Sequence, residues 1–230
     1  MIKEVVLTLL VSALAGGRPA EGATLSLDAR TQGNASLFSG TYAWDSISGN
    51  YHVNYLGTYG ESRNFFVFDL ANVAGTITAA TLELQTYLAA GAQVGVFDAA
   101  THASVLSTPA LSQSAIAAVY SDLGSGPLYG SLQVAYNGGD THISAFSLND
   151  AAVTKLNASR GGAFALGGAI VGGCASEIPR CLLSAFELSS VEGTQRLVLE
   201  VSESQVPEPI SLLTVGTGII GFVFRRRMRA

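Results

Sequence analysis

The sequence predicts an all-β fold: an antiparallel, jelly-roll-like β-sandwich with two short helices, followed by a single C-terminal transmembrane helix. Three observations lead to this prediction. Many short segments alternate between apolar and polar residues, with glycine-rich turns between them. The composition includes 26 glycines, and only 13% of the residues are charged, which favours a β-rich extracellular domain over a cytosolic enzyme. A run without ionisable side chains lies close to the C-terminus.

Residues 1–23 have the pattern of a secretory signal peptide. Lys3 is the positive residue of the n-region, residues 5–14 form the apolar h-region, and Ala13-Leu14-Ala15 offers an A-x-A cleavage site. Ala23 is a second candidate position for the cut. A buried N-terminal helix or strand is the alternative interpretation. The signal peptide predicts export of the body of the chain, residues 24–203, which has the length of one domain.

Strand patterns dominate the first half of this body. The run 64–70 is apolar on both faces, so it is predicted to be a buried central strand, whereas 81–87 alternates and exposes one face. The short spacing across Ala90-Gly91 predicts a hairpin between 81–87 and 93–98, and His102 to Leu106 is expected to form another short strand. The remaining strands of this half are predicted at 24–27, 51–55 and 76–78.

Two helices interrupt the strands of the second half. Ser112 is the predicted N-cap of a helix over 113–120, and Asn149 caps a second helix over 150–158 that Gly161-Gly162 ends. Strands are predicted at 131–136, 141–148, 163–171, 183–188 and 196–201. The region 63–84 is similar to the opening half of jelly-roll modules on secreted, often carbohydrate-associated bacterial proteins.

Two cysteines, Cys174 and Cys181, lie near the end of the body with six residues between them. In an exported protein such a pair is expected to form a disulfide that closes a loop. A zinc site is the weaker interpretation, because two thiolates without a nearby histidine or third cysteine leave zinc under-coordinated.

The body is acidic. Between Thr24 and Val206 there are six basic and fourteen acidic residues. Nucleic-acid binding needs clustered lysine and arginine, so the sequence predicts no nucleic-acid partner.

The C-terminal segment, residues 204–230, has three parts: a proline-rich motif at 206–209, an apolar run at 210–224 and a basic tail at 225–230. A helix of the apolar run is roughly 22 Å long, against ~30 Å for the hydrocarbon core, so it spans a membrane only barely. Basic residues flanking such a run stay on the cytoplasmic side, which places the body outside. The flanking residues are Arg225, Arg226, Arg227 and Arg229.

The motif itself is Val206-Pro207-Glu208-Pro209. Because the prolines cannot continue a helix, Glu208 is expected on extended, accessible chain at the outer membrane boundary. The motif, the apolar run and the arginines together closely resemble the PEP-CTERM sorting domain. The resemblance implies a bacterial protein that an exosortase, a membrane-embedded transpeptidase-like enzyme, cuts near Pro-Glu-Pro. It also implies association with exopolysaccharide-making systems. An ordinary membrane anchor is the alternative, but an anchor needs no such motif and is usually longer.

The spacing of polar residues predicts no catalytic site, metal site or cofactor. Ser62 lacks the glycine context of a nucleophile elbow and is interpreted as a loop serine. Asp69 and Glu83, expected on adjacent strands, form the one carboxylate pair to consider for glycosidase chemistry, and structural roles for both are the simpler interpretation. The histidines stand far apart, at His52, His102 and His142, without ligand spacing.

Aromatic residues cluster in one polar, glycine-rich stretch. Trp44, Tyr51 and Tyr55 are candidates to stack on sugar rings, although such rings more often cover a sandwich core or edge. The sequence therefore predicts an exported, non-catalytic surface or matrix protein, transiently anchored by its C-terminal helix and then released to the cell surface or medium, with an exosortase, the membrane and exopolysaccharide as partners. A carbohydrate-binding module or polysaccharide-acting protein displayed by the same route is the alternative.

Overall fold

The alternating segments of the sequence pair into two antiparallel sheets. The computed structural model describes residues 22–47, 51–55, 60–86, 92–134, 142–172 and 195–202. In these ranges the strands are β1 (Ala23–Asp28), β2 (Thr31–Phe38), β3 (Thr41–Asp45), β4 (Asn54–Tyr55), β5 (Gly60–Asp69), β6 (Thr76–Thr86), β7 (Ala92–Asp98), β8 (Leu128–Val134), β9 (His142–Ser147), β10 (Ala163–Gly172) and β11 (Gln195–Ser202). The helices are α1 (Ala103–Leu106), α2 (Gln113–Asp122) and α3 (Asp150–Ala158).

Within the described ranges, one sheet has four strands in the order β1-β11-β6-β9, and the other has seven. The larger sheet follows the order β3-β2-β5-β10-β7-β8, and β4 also pairs with β5. All of these pairs are antiparallel. The all-β class is therefore confirmed, while the jelly-roll connectivity stays a prediction.

A single buried cluster contains side chains of both sheets, as in a β-sandwich. The smaller sheet contributes alternate residues, for example Leu197 and Leu199 of β11, which are both fully buried. Their neighbours Arg196 and Val198 are partly exposed. The period of two thus selects the face of each strand that is removed from water.

The central strand β5 is buried on both faces because a second layer covers the larger sheet. Phe66 and Phe68 belong to the core between the sheets, whereas Phe65 and Val67 belong to a second cluster with side chains of α1 and α2. The continuous apolar run of β5 is the sequence signal of this double burial, so the predicted central strand is confirmed.

Local capping explains where the two longer helices begin. The Ser112 side chain accepts a hydrogen bond from Ala115 N at the start of α2. Asn149 Oδ1 accepts from Ala152 N at 3.1 Å and thereby caps α3, while its Nδ2 donates to Leu128 O at 2.9 Å. Both predicted helices are confirmed, and Asn149 also ties α3 to β8.

Two predicted elements are wrong. His102 to Leu106 is not a strand: His102 Nδ1 accepts from Ser104 N at 3.2 Å and caps the short helix α1. The segments β6 and β7 are not a hairpin either, because β6 pairs with β9 and β11 while β7 pairs with β8 and β10 in the other sheet. The chain crosses between the layers at this point. The predicted strand 51–55 is shorter than expected, since only Asn54–Tyr55 pairs.

Several predictions lie outside the described residues. They are the signal peptide, the strand at 183–188, the Cys174–Cys181 disulfide and the segment 204–230 with its transmembrane helix. Among the helices that the structure does describe, none has the length and apolar character needed to cross a bilayer.

Candidate functional site

Trp44, the first of the predicted sugar-stacking residues, packs against Phe65 and forms a hydrogen bond within the protein. Its ring stacks on Phe65 with centroids 4.9 Å apart and planes only 5° from parallel. The indole Nε1 donates to Thr108 O at 2.8 Å. One face of the ring and its polar atom therefore hold the segment before α2 against the larger sheet, to which β3 belongs.

Tyr51 and Tyr55 do not form a common surface with Trp44. Tyr51 is fully buried between the sheets, packs edge-to-face on Phe66 and donates its hydroxyl to Gln85 O at 2.8 Å. Because this ring has no face open to solvent, it is not available for stacking on a sugar, which corrects the prediction for Tyr51. Tyr55 is 42% exposed and has an accessible ring.

A charged and aromatic cluster lies on the outer face of the larger sheet. Arg63 Nε donates to Glu61 Oε1 at 2.7 Å, and the guanidinium carbon lies 4.3 Å from the centroid of the Tyr120 ring. Arg63 Nη1 also donates to Tyr120 O at 3.0 Å, near the end of α2. Tyr42 meets Tyr120 edge-on at 5.6 Å. These contacts fasten α2 to β3 and β5, so the cluster has a structural role.

Burial is the main cause that raises the pKa of the phenols of Tyr51, Tyr120 and Tyr129 above their ordinary value of 10.0. The neighbouring carboxylates of Glu61 and Asp98 raise the pKa values of Tyr120 and Tyr129 further. The folded state therefore favours the protonated phenols.

Because the folded state favours the protonated phenols, the free energy of unfolding should decrease at alkaline pH. The contribution of these phenols is fully present below pH 10.0, the ordinary pKa, and is lost as the pH rises through the higher folded-state values. A Tyr120→Phe/Tyr129→Phe double variant should lose stability less steeply above that pH in urea unfolding. Tyr55→Phe, which removes an exposed hydroxyl, is the control and should keep the wild-type slope. An unchanged slope in the double variant would contradict the assignment.

A row of buried polar side chains crosses the larger sheet on its inner face. Ser62 is not on a loop, as the sequence suggested, but in β5, and its Oγ lies 2.7 Å from Ser36 Oγ on β2. Ser36 Oγ also donates to Asn34 Oδ1 at 2.9 Å. The next cross-strand pair is Asn34 and Asn64, both buried. The hydrogen bonds among Ser62, Ser36 and Asn34 offset the cost of removing these three side chains from water, whereas Asn64 Oδ1 is buried without a partner.

The residues considered for catalysis or metal binding are dispersed. Asp69 and Glu83 lie in different sheets, which overturns the expectation of adjacent strands. Asp69 caps its own turn by accepting from Ala71 N, and Glu83 pairs with Arg196 at 2.9 Å. In the described ranges, no group of three or more histidine, cysteine, aspartate or glutamate side chains could hold a metal ion.

A cavity of about 330 Å³ lies beside the end of β7, between α1, α3 and the start of β10. Its walls include five alanine side chains, which leave the space open, and five polar side chains. The alanines are Ala99, Ala100, Ala103, Ala163 and Ala165, and the polar residues are Asp98, Thr101, His102, Lys155 and Ser159.

The charges of this cavity are one carboxylate and one ammonium group. Lys155 Nζ lies 3.3 Å from Asp98 Oδ2, with the Asp98 side chain 13% exposed and that of Lys155 47% exposed. Asp98 Oδ1 is buried, and the same carboxylate is the neighbour that helps to raise the pKa of the Tyr129 phenol. Sequence reasoning missed this arrangement, because Asp98 and Lys155 are 57 positions apart and belong to no motif.

The two ends of the compact unit Gly22–Ser202 meet at one place in the smaller sheet. The edge strand β1 pairs with β11 over its whole length, from Ala23 opposite Val201 to Asp28 opposite Arg196. Either predicted signal-peptide cut, after Ala15 or after Ala23, therefore leaves β1 in place from Thr24 onward. The predicted motif at Val206 begins shortly after β11 ends.

Comparison with known proteins identifies the C-terminal segment. Residues 205–227 match the family model of the PEP-CTERM protein-sorting motif. This match implies a sorting signal that is targeted by an exosortase, and with it export to the cell envelope or surface. No curated protein matches the chain.

Proposed function

We propose, from the premise that the chain carries a PEP-CTERM protein-sorting motif, that it is an exported, non-catalytic surface or extracellular-matrix protein. In this proposal the segment 210–224 anchors the chain in the membrane until an exosortase cuts near Pro207-Glu208-Pro209. The released body then remains at the cell surface or in the medium.

The observation that supports this proposal best is the match at 205–227, which includes the proline-rich motif, the apolar run and the arginines up to Arg227. The fold is compatible with the cut. The described strands of the smaller sheet end with β11 at Ser202, so cleavage near Pro207 leaves every described strand attached to the body. Association with exopolysaccharide is supported only by the resemblance to exosortase substrates.

Mass spectrometry of the mature protein tests the proposal. The full-length chain is expressed in a bacterium that encodes an exosortase and in an isogenic strain without it, and the surface and medium fractions are analysed. We expect a C-terminus near the Pro-Glu-Pro motif in the first strain and retention of the whole segment in the membrane fraction of the second. A mature surface protein that still contains Phe222 to Arg229 in the first strain would overturn the proposal.

A further inference from the structure

The edge strand β1 of the smaller sheet carries a row of backbone groups that no other described strand pairs with. The position of these groups follows from the bond that Ala29 N donates to Gln195 O at 2.9 Å. In an antiparallel ladder the residues bonded to one neighbour recur at every second position, so Leu27 and Leu25 also direct their N–H and C=O groups at β11. The alternate residues therefore point these groups away from the sheet. They are Thr24, Ser26 and Asp28, and all three are exposed.

The other edge strands in the two sheet orders are bonded to neighbouring elements within the described ranges. On β3, Gln113 Nε2 donates to Tyr42 O at 2.9 Å and Tyr42 N donates to Gln113 Oε1 at 3.2 Å, so a side chain of α2 occupies this edge. The edges of β8 and β9 meet, because a Cβ atom at Gly130 would lie only 2.6 Å from Ser147 O. An unpaired edge favours association with another strand, so β1 is the edge at which we expect it.

The sequence of β1 is complementary to itself. In an antiparallel pair of two β1 strands about a two-fold axis at Ser26, each Ser26 lies opposite the other and Thr24 lies opposite Asp28. Residues directly opposite share a face, so Leu25 meets Leu27 of the second strand on the core side. All the outward N–H and C=O groups are then used, in about six hydrogen bonds. An axis at Asp28 would instead place two carboxylates opposite each other, which is unfavourable.

We propose that β1 binds a second copy of this chain, so that two four-stranded sheets join into one continuous sheet across a symmetric dimer. Leu25 and Leu27 are partly buried side chains that pack against the core, and each gains an apolar neighbour in this dimer. Asp28 gains a threonine hydroxyl as its cross-strand neighbour, so no like charges oppose the pairing. The dimer uses only residues of the folded body and does not depend on the sorting motif.

Light scattering of the full-length chain in detergent tests the pairing. We expect the molar mass to rise from that of a monomer to that of a dimer between about 1 μM and 200 μM protein. Ser26→Lys places two ammonium groups opposite each other at the axis and should raise the dissociation constant about ten-fold or more. The matched control is Ser147→Lys, at an exposed position on the edge strand β9, which should dimerise as the wild type does. A chain that stays monomeric throughout, its edge covered by another segment of the same chain, would overturn the proposal. A dimer unchanged by Ser26→Lys would place the contact elsewhere and also overturn it.

Oxidative cross-linking tests the register. The Cα atoms of a hydrogen-bonded pair lie about 5.5 Å apart, within the range of a disulfide, so Ser26→Cys should give a covalent dimer linked through the two introduced cysteines. Thr24→Cys is the control, because its two copies would lie roughly 14 Å apart along the strands and should not be joined. Peptide mapping distinguishes these links from links to Cys174 and Cys181. Failure of Ser26→Cys to cross-link, or equal cross-linking of both variants, would contradict the proposed pairing.

Discussion

Phe66→Ala is expected to destabilise the body of this protein by about 3–5 kcal/mol, a large part of the roughly 5–15 kcal/mol that holds a typical domain folded. Phe66 lies on the central strand β5, is 2% exposed and packs edge-to-face against the fully buried Tyr51 at 4.8 Å. The substitution leaves a cavity between the two sheets and removes an aromatic pair. Urea unfolding of the full-length chain, followed by circular dichroism, measures the loss.

Phe38→Ala is the matched control for this substitution. Phe38 lies at the end of β2 and is 37% exposed, so the same truncation there should cost less than about 1 kcal/mol. Similar losses in the two variants would show that β5 is not the centre of the core. A much smaller loss in Phe66→Ala would show that the neighbouring side chains collapse into the space.

The sequence predicts those features of the fold that are determined by residues close together along the chain. The apolar run 64–70 predicts the strand β5, which is buried on both faces, and the capping residues Ser112 and Asn149 predict the starts of α2 and α3. Each of these signals lies within a few residues of the element that it defines, so no knowledge of the partner strand was needed.

Strand pairing could not be predicted in the same way. β6 and β7 have the alternation and spacing of a hairpin, but the alternation of apolar and polar residues does not identify the strand with which each of them pairs. β6 is fixed instead by β11, more than a hundred positions later, where Leu82 lies opposite Leu197. The helix α1 was missed for a different reason: four residues are too few for a helical period, and the capping atom is a histidine nitrogen rather than a hydroxyl or amide oxygen.

The sorting motif and the cavity beside β7 also differ in whether their residues are close together in sequence. The sorting motif is contiguous in sequence and was recognised from its residues, and the match at 205–227 confirms that recognition. The cavity is assembled from β7, α1, α3 and β10, so its polar groups meet only in the folded chain. The clustered aromatics were misleading because residues that are close in sequence are separated by the fold: Tyr51 belongs to the core between the sheets, whereas Trp44 packs against the second cluster.

Glu208→Gln is expected to leave most of the chain unprocessed in a strain with an exosortase. Glu208 is the only ionisable residue between Glu203 and Arg225, and the prolines on both sides favour an extended chain that presents its carboxylate. A hydrogen bond to a charged group contributes about 1.5–3 kcal/mol. Its loss at the processing enzyme should lower the rate of cleavage by roughly ten-fold to a hundred-fold. Intact mass and the membrane fraction of pulse-labelled protein measure the change.

Glu203→Gln provides the comparison that separates recognition of the motif from a general effect of charge. It removes the same carboxylate five positions earlier, outside the matched residues 205–227 and before the prolines. Because both variants change the net charge equally, a defect confined to Glu208→Gln must come from contacts at the motif itself. Equal processing of the two variants would mean that the apolar run and the arginines direct the cut without Glu208, and that the carboxylate has no part in it.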